Sequence, residues 1–292
     1  MFEFGDGRTM LTSQIEHHAV LHSAEAIERM GFPVAYMPVN TQGILTADIL
    51  RRHITDHTKL VSVMMVNNEI GTIEPIEELV TIAHKHGSLF HTDAVQAVGH
   101  IPVDVKSLGI DLLSASAHKF NGPKGIGFLY IKKGTKIFPF ADGGAQESRM
   151  RAGTENIASV VGMAVALQKN CKAMQEVSLK LQMMENVFVK ALRDADIDFI
   201  RNGSENRVPG NINISIRNAS GEMLLHRLDL KGISISTGSA CDSVNMKVSH
   251  VIKAISTPNE YAGGTIRVSF GCDNKMEDAF EVANAIVHIL CN

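Results

Sequence analysis

The chain has 292 residues, 45% hydrophobic and 20% charged, a balance that supports a substantial core in one or two domains. Its 28 Lys and Arg against 31 Asp and Glu give a formal net charge of −3, which excludes a basic nucleic-acid or membrane surface as the main partner. Apolar runs such as Val63–Val66 are far too short to cross a bilayer, and Met1–Asp6 has no basic segment ahead of an apolar stretch, so neither a membrane span nor a secretion leader is expected.

Ser13 and Glu16 have the S-x-x-E spacing of a capping box, which predicts a helix through Ala19, Ala24 and Ile27 that stops near Gly31. A strand is expected at Val34–Val39 and a short helix at Ala47–His53. Leu60–Val66 is a nearly continuous apolar run, the mark of a strand covered on both faces. Pro75 opens a helix over Ile76–His86 that Gly87 closes. Two further buried strands end in polar residues: Ser88–His91 runs into Thr92 and Asp93, and Leu112–Ala115 into Ser116, Ala117, His118 and Lys119. Gly125–Ile131 reads as a return strand.

This alternation is that of βαβ units on a mostly parallel sheet, an α/β fold. From Thr154 to about Ala191 there is no proline and a single glycine, which predicts one or two long helices. Short strands follow at Asn211–Ile216, Ile233–Ser236 and Thr265–Phe270, with helices near Glu222–Leu230, Val248–Ile255 and Glu277–Leu290. The expected organisation is a large domain over 1–160 and a smaller α+β domain over 161–292.

Ligands of open parallel sheets bind beyond the carboxyl ends of the strands. Three expected ends carry suitable groups: Asn67, Asn68 and Glu69; His91, Thr92 and Asp93 with Gln96; and Ser116, His118 and Lys119. A lysine amine desolvated at such an end can form a Schiff base. An aspartate at the neighbouring end could hold a pyridinium nitrogen protonated, making a cofactor ring an electron sink. Taken singly, the same residues also read as a surface lysine and a helix-capping aspartate. Cys171, Cys241, Cys272 and Cys291 lie far apart with no C-x-x-C pair, which points to a reducing cytoplasm rather than a disulfide scaffold. His53 with His57, and His84 with His86, lack a third ligand at zinc spacing, so no metal site is expected.

The stretch Ser116-Ala117-His118-Lys119-Phe120-Asn121-Gly122-Pro123-Lys124-Gly125-Ile126-Gly127 resembles the pyridoxal-phosphate lysine segment of the cysteine desulfurases. Ser13-Gln14-Ile15-Glu16-His17-His18-Ala19-Val20, Val66-Asn67-Asn68-Glu69-Ile70-Gly71 and His91-Thr92-Asp93-Ala94-Val95-Gln96 resemble that family too. Arg151-Ala152-Gly153-Thr154-Glu155-Asn156 and Ser236-Thr237-Gly238-Ser239-Ala240-Cys241 complete the set, in family order. The chain is thereby identified as a member of the NifS/IscS-like branch of the class-V aminotransferase family.

The resemblance implies a fold-type I, pyridoxal-phosphate-dependent homodimer. Such an enzyme converts L-cysteine to L-alanine and passes a persulfide sulfur to an acceptor protein, an iron–sulfur scaffold or a thiolation enzyme. Lys119 would form the Schiff base and move the Cα proton, His17 would stack on the ring, and Asp93 would pair with its nitrogen. Gln96 and Asn68 would contact the ring's phenolic oxygen, with Asn68 also near the substrate. Ser116 and His118 would bind the phosphate, joined by Thr154 from the other subunit. Arg267 would grip the substrate carboxylate, which suits its planar fork, and Cys241 would attack the sulfur.

Cys171, Cys272 and Cys291 are read as structural. Family members also carry a Gly-Ala-Thr-Glu-like turn well upstream of this histidine, at a helix terminus that cradles phosphate. Met1–Met10 contains no such turn, so the expectation is a chain lacking that amino-terminal segment, with a bared edge beside Gly125–Ile131. Two alternatives stay open: a truncated homologue with little or no catalysis, and a selenocysteine lyase, against which Cys241 and its long following loop count.

Overall fold

A computed structural model describes residues 9–237 and 248–291. The chain divides into two compact units. Unit one comprises Met1–Met37, Ala47–Met65 and Pro75–Lys172; unit two comprises Pro38–Thr46, Val66–Glu74 and Ala173–Asn292.

Unit one is built on strands β1 (Thr9–Ser13), β2 (Val34–Met37), β3 (Thr58–Ser62), β4 (Leu89–Asp93), β5 (Leu112–Ser116) and β6 (Gly127–Ile131). Between them run helices α1 (His18–Arg29), α2 (Ala47–His53) and α3 (Ile76–Lys85). The strands form a six-stranded sheet in the order β2-β1-β3-β4-β5-β6, parallel except for β6. The order reverses between β1 and β3, and such reversals are where open α/β sheets bind ligands. On one face α1 packs Ala24 and Ile27 against Met10, Leu60 and Leu89.

β6 returns antiparallel to β5 through Gly127, where a Cβ would lie 2.4 Å from the Ala115 carbonyl oxygen. Glycine at this position lets the return strand close directly onto the end of β5.

Helix α4 (Ile157–Asp194) carries the chain from unit one into unit two. Unit two holds a three-stranded antiparallel sheet of β7 (Phe199–Arg201), β8 (Asn211–Ile216) and β9 (Thr265–Ser269). Its helices are α5 (Gly221–Asp229), α6 (His250–Ala254), α7 (Asn259–Ala262) and α8 (Met276–Cys291). The core joins Met184, Phe188 and Leu192 of α4 to Ile212, Ile214 and Ile266 of the sheet and to Leu224 and Ile286. Phe188 meets Phe270 edge to face at 6.3 Å. No described helix is long and apolar enough to cross a membrane.

Several local expectations need correction. Ser13 Oγ does donate to Glu16 Oε1 (2.6 Å), but Ser13 ends a strand and the helix cap is His17. The S-x-x-E pair therefore ties down the strand-to-helix turn instead of opening the helix. The strand expected at Ile233–Ser236 reduces to a single bridge between Ser236 and Arg267. Cys171, Cys272 and Cys291 are all exposed, so they pack no core, contrary to their structural reading.

Candidate active site

The carboxyl ends of β1, β4 and β5 bring His17, Asp93 and the Ser116–Lys119 segment into unit one's site. His17 has extended backbone and caps α1, its Nδ1 accepting the Ala19 N–H (3.1 Å). That bond assigns the acceptor role to Nδ1, so the neutral ring carries its proton on Nε2. Asp93 is buried at the end of β4 and accepts the Val95 N–H at 2.9 Å. Burial raises its pKa, while the Val95 hydrogen bond and the charges of His17 and Lys119 oppose the rise. The carboxylate therefore feels both His17 and Lys119. Gln96 lies half-buried three residues beyond it.

Ser116 runs into a short 3-10 turn, Ala117–Phe120, closed by Asn121 in the left-handed region at φ 62°. Ser116 Oγ and His118 Nδ1 are 2.8 Å apart, so the two expected phosphate ligands form one hydrogen-bonded pair. The turn that carries Lys119 is held from two sides. His100 Nε2 sits 2.8 Å from the Lys119 carbonyl oxygen, and Asn170 Nδ2 of α4 donates to the Phe120 carbonyl at 2.7 Å. Phe120 is fully buried against Gly99, where a Cβ would come within 2.8 Å of the Phe120 Cβ. Sequence reasoning missed His100, Asn170 and Gly99. No local pattern links residues 19 and 50 positions apart. Thr154 lies exposed ahead of α4.

A cavity of about 430 Å3 lies on the α1 face of the sheet and reaches Asp93 and Val95. Across its floor Ser62 Oγ, His91 and Ser114 Oγ form a hydrogen-bonded row at 2.8 and 3.0 Å. Burial lowers the His91 pKa to about 4, so this imidazole is neutral. The rest of the lining is mainly apolar, including Met10, Leu60 and Leu112, and offers little to a phosphate. The anion-binding chemistry belongs instead to the strand ends.

In unit two, Arg267 of β9 donates through Nη1 to the Asn68 carbonyl (2.8 Å) and through Nη2 to Ser236 Oγ (3.3 Å). Its backbone pairs in both directions with Ser236. Burial lowers the guanidinium pKa and the Glu69 charge raises it. Arg267 Nε is buried without a hydrogen-bond partner among the described residues, a donor suited to an incoming carboxylate. Asn68 is half-buried beside this contact. Glu69 accepts from Ser249 Oγ at 2.6 Å. Cys241, the expected sulfur acceptor, lies outside the described residues.

The family model described as aminotransferase class-V matches residues 1–282. A curated relative, the cysteine desulfurase IscS of Dictyoglomus turgidum, is 48% identical over 93% of this chain and 69% of its own length. This chain belongs to the class-V aminotransferase family. IscS of Methanosarcina thermophila is 44% identical over 97% of this class-V chain and 70% of its own length. A solved NifS-like protein superposes with a TM-score of 0.91 at 35% identity, covering 99% of the chain and 76% of that structure. A second NifS-like protein, from Rickettsia africae, gives a TM-score of 0.84 at 29% identity, covering 98% of the chain and 76% of that structure.

Family membership makes pyridoxal phosphate the cofactor to test against the strand-end groups. They fit it: an amine on Lys119, a buried carboxylate on Asp93 that interacts electrostatically with His17 and Lys119, and a Ser116–His118 pair able to meet a phosphate.

Proposed function

We propose that the chain is a pyridoxal-phosphate-dependent cysteine desulfurase that converts L-cysteine to L-alanine and passes the sulfur to an acceptor protein. The observation that carries this reading is the placement of His17, Asp93 and Lys119 at the carboxyl ends of β1, β4 and β5, with His17 and Lys119 both acting electrostatically on Asp93. The 48% identity to a desulfurase supports it. The large domain over 1–160 would hold the cofactor, and 161–292 would carry the cysteine loop.

When bound, the cofactor supplies an electron sink that makes the substrate's Cα proton acidic. Lys119 would attach the cofactor, and its Nζ would move that proton. Asp93, as an anion, would keep the ring nitrogen protonated, while His17 would lie against the ring and share in proton transfer at Nε2. Gln96 and Asn68 would orient the phenolic oxygen, with Asn68 also near the substrate. Ser116 and His118 would hold the phosphate. Arg267 binds the substrate carboxylate, its Nε adding a donor to those of the Nη groups. The Cys241 thiolate would attack the substrate sulfur, forming an S–S bond as the Cβ–S bond breaks. The electron pair would stay with the carbon fragment, which takes up a proton at Cβ to become alanine, and the outer sulfur would pass on to an iron–sulfur scaffold or a thiolation enzyme.

The working form is a cytoplasmic homodimer. Ile157, Val160, Val161 and Val165 form an exposed apolar stripe on α4 at helical spacing, suited to a second copy. Thr154, just ahead of it, would reach the phosphate of the other subunit.

Borohydride reduction after incubation with pyridoxal phosphate and L-cysteine turnover test the reading together. A covalent label on Lys119, lost in Lys119→Ala, is the expected result, with sulfide release abolished in Cys241→Ser. A label on Lys124 or Lys132, or normal sulfide release from Cys241→Ser, would overturn these assignments.

A further inference from the structure

Glu16 has no task in the reading above, yet it is 0% exposed at the point where the strand order reverses. Its Oε1 accepts from Ser13 Oγ at 2.6 Å and from the Met64 N–H at 2.9 Å. A single oxygen thus ties the end of β1 to the backbone just beyond β3. His17, the cap of α1, is the next residue in the chain, so any slackening of this tie is felt directly at the imidazole.

The groups facing Glu16 are unlike those facing Asp93. Ser13 at the end of β1 contributes its hydroxyl and a backbone hydrogen bond, Met64 beyond β3 a peptide N–H, and the carboxylate of Asp93 at the end of β4 acts electrostatically. Asp93 instead feels the charges of His17 and Lys119. Two carboxyl groups sharing a desolvated site do not both ionise without a large cost, and the environment decides which one keeps the proton. Burial pushes Glu16 up to about 8, with Asp93 adding to the rise and the bonds from Ser13 and Met64 opposing it. An acid carbonyl accepts both of those hydrogen bonds, so the neutral form keeps the tie intact.

We propose that Glu16 is the proton-holding partner of Asp93, a neutral acid that positions His17 and leaves Asp93 as the anion required opposite a ring nitrogen. The part assigned to Asp93 rests on the desulfurase reading. The protonation of Glu16 does not. Glu16 is thus a positioning residue, acting through His17 and through the charge state of Asp93. The amide of Glu16→Gln should mimic it, because it is neutral and its oxygen can accept from the same two donors.

The test is an infrared pH titration of the cofactor-free chain labelled with 13C-glutamate. A protonated carboxyl band should persist through neutral pH and vanish with a midpoint near 8. Glu16→Gln should lack that band. Asp93→Asn should move the midpoint down, because a charge that opposes Glu16 ionisation is gone, and a purely structural glutamate would show no such response. Should Glu16→Gln fail to fold, the response to Asp93→Asn still identifies the band. A glutamate signal confined to the ordinary carboxylate range, or a midpoint indifferent to Asp93→Asn, overturns the proposal. Absorbance titration with pyridoxal phosphate is run in parallel on the wild type. Failure to bind there would sink the cofactor reading and leave the carboxyl result standing.

Discussion

Buried Glu16 and half-buried His91 make unit one's stability depend on pH in opposite directions. His91, held neutral between Ser62 and Ser114, has a folded pKa of about 4, below its ordinary 6.5. Its contribution is present above about 6.5 and is lost as pH falls through that value toward about 4, because the unfolded chain takes up the proton first. Glu16 has a folded pKa of about 8, above its ordinary 4.5. Its contribution is full below about 4.5 and is lost as pH rises through about 8, the unfolded chain releasing the proton first. Denaturant titrations across this range should show Glu16→Gln flattening the alkaline decline, by roughly 5 kcal/mol at the far end, and His91→Asn flattening the acid decline. An unchanged pH profile in either variant would contradict the assignment. The motif around Glu16 is visible in the sequence, where its spacing is that of a capping box. Spacing cannot tell a hydroxyl that opens a helix from one that ends a strand.

At the scale of elements, the turn carrying Lys119 is rigid because neighbours grip its backbone. His100 and Asn170 hold two successive carbonyls, and Phe120 fills the space that Gly99 leaves open. Gly99 also has φ +82°, in the left-handed region that an L side chain rarely adopts. Gly99→Ala should therefore destabilise the chain by about 1–3 kcal/mol and weaken cofactor attachment at Lys119. Urea midpoints and absorbance titration would measure the two effects, and a wild-type midpoint would show that the close approach relaxes without cost. Most helices and strands were legible from periodicity and punctuation. β1 escaped because four of its five residues are buried, and Thr and Ser on both faces erase the apolar–polar alternation. β7 and α7 were missed as well, being only three and four residues long.

For the molecule as a whole, the exposed α4 stripe predicts association. Ile157 is 69% and Val161 56% exposed, and Phe140, ahead of the helix, is 91% exposed. Val161→Glu should shift the chain from dimer to monomer in sedimentation. Should the variant remain dimeric, a different surface must join the copies. The sequence by itself determined the chemistry available: the lysine, aspartate, serine and histidine at expected strand ends, and the alternation that makes a mostly parallel sheet. These are local facts, written in residue type and spacing. Which carboxyl keeps a proton was decided only by tertiary structure, as was the grip on the lysine turn and the pairing of Arg267 with Asn68 and Ser236. Burial and electrostatic coupling join groups that lie tens to hundreds of residues apart in the chain. They come into being when the chain packs, and no window along the sequence contains them.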